Sequence, residues 1–222
     1  MLGEWEQFNA MEFSAVASAV GLVLGAVSGY ALRTLLGRLR RGVILRVGPT
    51  EAAGAVVTAV GAGLAWGRPV LGLVLLAGLL LVALSGVDIV HHRLPDAITL
   101  PALPLAVLTV LATELLHPGS GSPVRAAGCA AALWLIFAGV ARLSPAAMGR
   151  GDVKLVPTLV LLMGYVSVGA VVLGLAVSFV LGSVIALVGM AARKLRLNSA
   201  IPLGPYLLLG CWSVLLIPAV AR

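Results

Sequence analysis

At 222 residues, 61% hydrophobic and only 10% charged, with mean hydropathy +1.13, the chain is far too apolar for a soluble globular domain. Its formal charge of +7 comes from basic residues held almost entirely in short connections between apolar runs. That pattern excludes a DNA-binding face and points to membrane orientation and anionic headgroups. Cys129 and Cys211 sit singly inside apolar runs, so the chain offers no CxxC pair for structural zinc, and both read as buried, inert thiols.

Apolar runs recur along the whole length, and backbone groups in lipid must be satisfied within each segment, so the expectation is an all-α, polytopic membrane bundle. A spanning helix needs about 20 apolar residues. Eight segments follow: 12–36, 50–66, 69–88, 97–116, 124–142, 153–163, 165–192 and 203–221. They form one integral-membrane domain, 1–222. Pro49, Pro69, Pro95, Pro118 with Gly119, Pro123 and Pro202 punctuate most of the ends. The sixth segment is short, and its boundary with the seventh is set at Gly164–Tyr165. Glu4, Glu6 and Glu12 replace the basic start of a cleavable signal peptide.

On the first segment Gly21, Gly25 and Gly29 recur every four residues, a stripe that lets helices approach closely. Basic residues then cluster after the first, third, fifth and seventh segments: Arg33 to Arg46, Arg93, Arg142 with Arg150 and Lys154, and Arg193 to Arg196. Twelve of the fifteen fall on these connections; Arg68, Arg125 and Arg222 do not. The positive-inside rule makes the rich side cytoplasmic, so both termini face outward. Asp88, closing the third segment in VALSGVDIVHHRLPD, and Asp152, opening the sixth in GRGDVKL, then share the cytoplasmic face.

Charge beside lipid is costly, by about 2.5–3.5 kcal/mol for an Asp at a helix centre, so two acids at membrane helix ends suggest an aspartyl protease. Acid hydrolysis of a peptide bond uses one ionised carboxylate to activate water and one protonated carboxyl to polarise the carbonyl. A helix N-terminus favours the anion and a C-terminus disfavours it, which assigns Asp152 as base and Asp88 as holder of the shared proton. Gly149 and Gly151 allow backbone conformations closed to other residues and close approach of a substrate backbone. GRGD also fits a plain turn capped by Asp152. Lys154 fits either a headgroup anchor or a counter-charge to the nearby acid. His91 and His92 are adjacent and do not share a helix face, so headgroup contact is preferred over metal ligation. Asp96, after Pro95, is expected to cap the fourth helix. Arg93 contacts the carboxylates or anchors at the interface.

Three segments in order carry a resemblance. DIVHHRLPD (88–96), GRGDVKL (149–155) and IPLGPYLLLG (201–210) resemble the motifs of the type IV prepilin peptidases, members of the GxGD membrane aspartyl proteases. Leu203 stands where that family has Phe in IPFGP. GLVLGAVSGYALRTLLGRL and GPTEAAGAVVTA, around Glu51, resemble the family's first two helices. The resemblance implies that Asp88 and Asp152 are catalytic, supported by Gly149, Gly151, Lys154, Arg93, Pro95, Asp96, Pro202, Gly204 and Pro205. It implies an endopeptidase in a bacterial inner membrane that removes, at the cytoplasmic face, the leader of pilin-like or pseudopilin precursors of type IV pili or secretion systems. PALP at Pro101 resembles the presenilin PAL motif but precedes the second aspartate, so Pro101 and Pro104 are read as helix-shaping.

Many family members carry paired CxxC motifs binding zinc between their first two helices and methylate the new N-terminus with S-adenosylmethionine. Here that connection is a short basic stretch, 38–48, without cysteine. The expectation is therefore peptidase activity alone, with no metal and no cofactor unless the methyltransferase activity is retained. The competing class is a transporter carrying protons or cations on the same two acids, which would place them near the bilayer midplane.

Overall fold

A computed structural model describes residues 2–38, 47–91, 95–144, 149–193 and 203–218, with side chains described from 11 onward and not at 89–91. All elements among the described residues are helical: α1 (Leu2–Arg38), α2 (Pro49–Ala65), α3 (Leu71–His91), α4 (Asp96–Leu116), α5 (Pro123–Leu143), α6 (Arg150–Val166), α7 (Val168–Ala191) and α8 (Gly204–Leu216). Five of them contain stretches long and apolar enough to cross a membrane: Met11–Arg38, Leu71–Asp88, Asp96–Leu116, Pro123–Leu143 and Val168–Ala191. The predicted all-helical membrane bundle is what forms.

The eight helices follow the eight predicted segments, with shifted ends. Helix α1 begins ten residues before residue 12, where the polar N-terminal stretch continues the same helix. The break predicted at Gly164–Tyr165 lies instead at Ser167, extended at φ −168°, whose hydroxyl accepts the Ala170 N–H and so starts α7. Ser is a far better N-cap than Gly164 or Tyr165. Gly164 is spent on packing: a Cβ there would lie 3.1 Å from the Cα of Ala126 on α5. Helix α8 stops at Leu216, ahead of Pro218, rather than reaching residue 221.

Helix α6 is the centre of the bundle. From Leu155 to Tyr165 every residue but Pro157 is buried, and the main core cluster around it is drawn almost wholly from α3 to α8. This explains its length of 17 residues: protein, not lipid, surrounds it, so the bilayer thickness does not set its span. The peripheral helices show the converse, with Leu22, Val23 and Val27 on α1 and Val172 and Val180 on α7 exposed to the apolar surroundings. Helix α1 joins through its glycine stripe. A Cβ on Gly21 would lie 2.8 Å from the Thr58 carbonyl oxygen and one on Gly29 2.7 Å from that of Thr50, while one on Gly25 would overlap the Gly54 carbonyl. At the start of α2, Gly48 has φ 101°, and Glu51 accepts its N–H at 2.8 Å and the Arg33 Nε at 2.6 Å.

Two arginines close helix ends on the side away from the GRGD turn. Arg125 donates to the carbonyls of Gly164, Tyr165 and Val166, the last turn of α6, and Arg68 donates to those of Leu215, Leu216 and Ile217 at the end of α8. Terminal carbonyls have no partner within their own helix, and in this apolar setting a half-buried guanidinium fork satisfies several at once. Tyr165 extends the α6 junction: its hydroxyl donates to Glu114 Oε2 at 2.8 Å and lies 2.8 Å from Ser120 Oγ.

Gly25→Ala is expected to lower stability by about 1–3 kcal/mol through overpacking, whereas Gly128→Ala, whose Cβ would meet nothing within 4 Å, gains about 0.5–1 kcal/mol from helix entropy. Thermal unfolding in detergent checks both signs. Arg125→Leu is expected to cost about 2–3 kcal/mol by the same measurement, because charge-assisted bonds to three carbonyls disappear together.

Candidate active site

The third apolar run continues helically to His91, so Asp88 lies in the last turn of α3 rather than at its end, 4% exposed and following Leu84 and Val87 into the core. Asp152 occupies the first turn of α6, half-buried, at the third helical position after the N-cap Gly149. The two carboxylates are near enough to interact electrostatically. Helix α3 therefore delivers one acid at its finish and α6 the other at its start, to the same end of the bundle.

The GRGD turn holds Asp152 by a reciprocal arrangement. The Gly149 carbonyl accepts the Asp152 N–H at 3.1 Å, and the Gly149 N–H donates to the Asp152 carboxylate. Asp152 thus closes the turn that opens α6. The expected conformational role of the glycines is corrected: Gly149 has φ −68° and ψ 138°, open to any residue, and Gly151 is helical without a positive φ. What Gly149 supplies is room. A Cβ there would lie 3.0 Å from Asp152 Oδ2, tighter than an ordinary contact.

Lys154 and Asp96 take partners other than those expected. Lys154 Nζ lies 2.6 Å from Asp96 Oδ1, tying the start of α6 to the start of α4. Lys154 is accordingly the counter-charge of Asp96, not of Asp152. Nor does Asp96 cap α4: Pro95 is the N-cap, in extended conformation, and its carbonyl accepts the N–H groups of Ile98 and Thr99 at 3.0 and 3.1 Å. Asp96 is the first helical residue, leaving its carboxylate free for the lysine. Pro101 and Pro104 lie inside a continuous α4.

Gly204 and Pro205 open α8, Gly204 buried and Pro205 in the first turn, where its missing N–H leaves no donor unsatisfied. Arg93, His92 and Pro202 lie outside the described residues, as does the side chain of His91. Among the described residues no three His, Cys, Asp or Glu side chains converge as a metal site. Reading the sequence missed Ser85, three residues before Asp88 and so on the same helix face, whose buried hydroxyl has no hydrogen-bond partner among the described residues. The i, i+3 spacing was the available signal. It also missed a groove of about 480 Å³ where α4 and α5 splay over α6, lined by Thr99, Leu103, Ala130, Trp134, Pro157 and Lys154.

Comparison with known proteins gives the site its context. Residues 73–188, just over half of the chain, match the type IV leader peptidase family. Over 135 residues, 60% of this chain, the sequence is 31% identical to the prepilin leader peptidase/N-methyltransferase of Xanthomonas campestris pv. campestris. That match takes in 46% of the relative, so the chain spans less than half the length of the curated protein it resembles. No solved structure matches. The matched region contains both Asp88 and Asp152 together with the turn that holds the second. An all-helical protein with five membrane-length apolar helices, matched to that family over more than half its length, the chain belongs to the type IV leader peptidases.

Proposed function

We infer that the chain is an aspartic endopeptidase of the membrane, cleaving the leader from pilin-like or pseudopilin precursors with Asp88 and Asp152. The observation that carries this reading is that separate helices deliver two carboxylates to the same end of the bundle, near enough to interact electrostatically, in a protein of the leader peptidase family. A pair of that kind, sharing one proton, supplies a base and an acid together.

In this mechanism Asp152 takes a proton from water as the water oxygen attacks the scissile carbonyl. Asp88 donates its proton to the carbonyl oxygen, giving a neutral tetrahedral intermediate. Collapse of that intermediate breaks the C–N bond, with the amine nitrogen receiving the proton held on Asp152 and the hydroxyl proton returning to Asp88. The roles follow from position. Burial and then the neighbouring Asp88 push the Asp152 carboxyl up to about 6, but its place in the first turn of α6 and the Gly149 N–H favour its anion over that of Asp88, which is 4% exposed in the last turn of α3. The pair titrates as a unit, so the pH–rate curve belongs to both.

The clustering of basic residues on these connections supports a cytoplasmic orientation of this end of the bundle, and the family supports a bacterial inner membrane; a leader that precedes an apolar helix would lie at that face. The groove beside Lys154 gives that apolar helix a path alongside α6. Peptidase activity alone is proposed, without a metal or S-adenosylmethionine-dependent methylation. The described cysteines do not fit a zinc site, Cys129 lying on α5 and Cys211 fully buried on α8.

Co-expression with a pilin-like precursor, followed by N-terminal sequencing of the product, tests the reading. Asp88→Asn and Asp152→Asn are each expected to lower cleavage by about 10²–10⁴-fold with the protein still inserted. Full cleavage by either variant removes the proposal, and cation flux in vesicles without cleavage would support a transporter instead. Gly149→Ala is expected to cut the rate about tenfold or more while leaving precursor binding near normal, since its Cβ displaces the Asp152 carboxylate. The separation of kcat from KM in a detergent assay checks it.

A further inference from the structure

We propose that the Asp96–Lys154 ion pair is a positioning device for the two acids, a tie that fixes where the start of α6 lies relative to the end of α3. The inference rests on the peptidase reading above.

Asp96 is the first residue of α4, eight positions after Asp88 along a connection that includes the rigid Pro95. Lys154 is two positions after Asp152, in the opening turn of α6. Their contact at 2.6 Å therefore closes a short ring: from Asp88 along the chain to Asp96, across to Lys154, back to Asp152, and through space to Asp88 again. The other ion pair among the described residues, Arg33–Glu51, joins α1 to α2 and takes no part in this ring.

The side chains are 42% and 60% exposed, too open for the pair to contribute much to holding the fold together. Buried apolar contacts of α6 with its neighbours do that. What those contacts leave less constrained is the first turn of α6, where Arg150 is exposed and Gly151 and Asp152 are only half-buried. A charge tie two residues from a reacting carboxylate acts on that turn. Displacement of a reacting group by about 1 Å is enough to lower a rate by about 10²-fold. Lys154 also lines the groove over α6, so the ion pair joins one edge of that groove to the start of α4.

The experiment uses the full chain in detergent with a purified pilin-like precursor, measuring kcat and KM alongside thermal unfolding. Asp96→Asn and Lys154→Gln are each expected to lower kcat about 10- to 100-fold, with KM changed less than about threefold and the unfolding midpoint nearly unmoved. Lys154→Arg, which preserves the pair, is expected to keep most of the rate. The decisive variant is the exchange, Asp96→Lys with Lys154→Asp, expected to recover at least about tenfold over the weaker single variant. An anchor on anionic headgroups would not survive Lys154→Asp, so recovery separates the tie from an anchor. Single variants that cleave normally, that change KM alone, or that the exchange fails to rescue would each overturn the inference while leaving the peptidase reading intact. Absence of cleavage by the parent protein would overturn both.

Discussion

Helix α6 carries the second acid at one end and is gripped by an arginine at the other, and the interior of the bundle is arranged about keeping it there. A helix end set in an apolar bundle leaves carbonyls and N–H groups that neither lipid nor the helix's own turns can satisfy. Arg125 answers the carbonyls of Gly164, Tyr165 and Val166, while Gly149 and Asp152 satisfy each other at the opposite end. Between them lies a nearly continuous buried surface from Leu155 to Tyr165. Sliding or rotating this helix would break the Arg125 bonds at one end and the Lys154–Asp96 pair at the other, so the depth of Asp152 is set from two directions.

The same economy governs the charges. Arg68 and Arg125 are the described basic residues that depart from the clustering on alternate connections, and both are engaged with helix-end carbonyls. They act as structural groups more than as orientation signals, which sharpens the asymmetry of the remaining basic residues. Glu114 is absorbed in the same way, accepting from Gly119 N–H and Tyr165 hydroxyl.

Much of this was legible in the residues. Apolar run length and proline punctuation located all eight helices, because both act through short-range physics that tertiary packing seldom overrides. The Gly21, Gly25, Gly29 stripe announced a close helix contact, and α2 supplies it. Partners across helices were not legible. Lys154 was open between a headgroup anchor and a counter-charge to its sequence neighbour, and in the structure it reaches Asp96, 58 residues away, a choice made by how α4 and α6 lie side by side. Gly149 read as a conformational device because glycine is most often that, whereas the need is volume beside a carboxylate. The sixth-to-seventh boundary failed for a local reason: Ser167 outranks a Gly–Tyr pair as a helix start, a rule the sequence displays but which the apolar continuity from 153 to 192 obscures.

The burial of α6 also bears on biogenesis. A helix of 17 residues surrounded by protein draws its stability from neighbours and little from lipid, and two of those neighbours, α7 and α8, are synthesised after it. Its seat is therefore unfinished when it leaves the ribosome. Helices α7 and α8 complete the wall around it, so the seat of α6 closes only after both have been made.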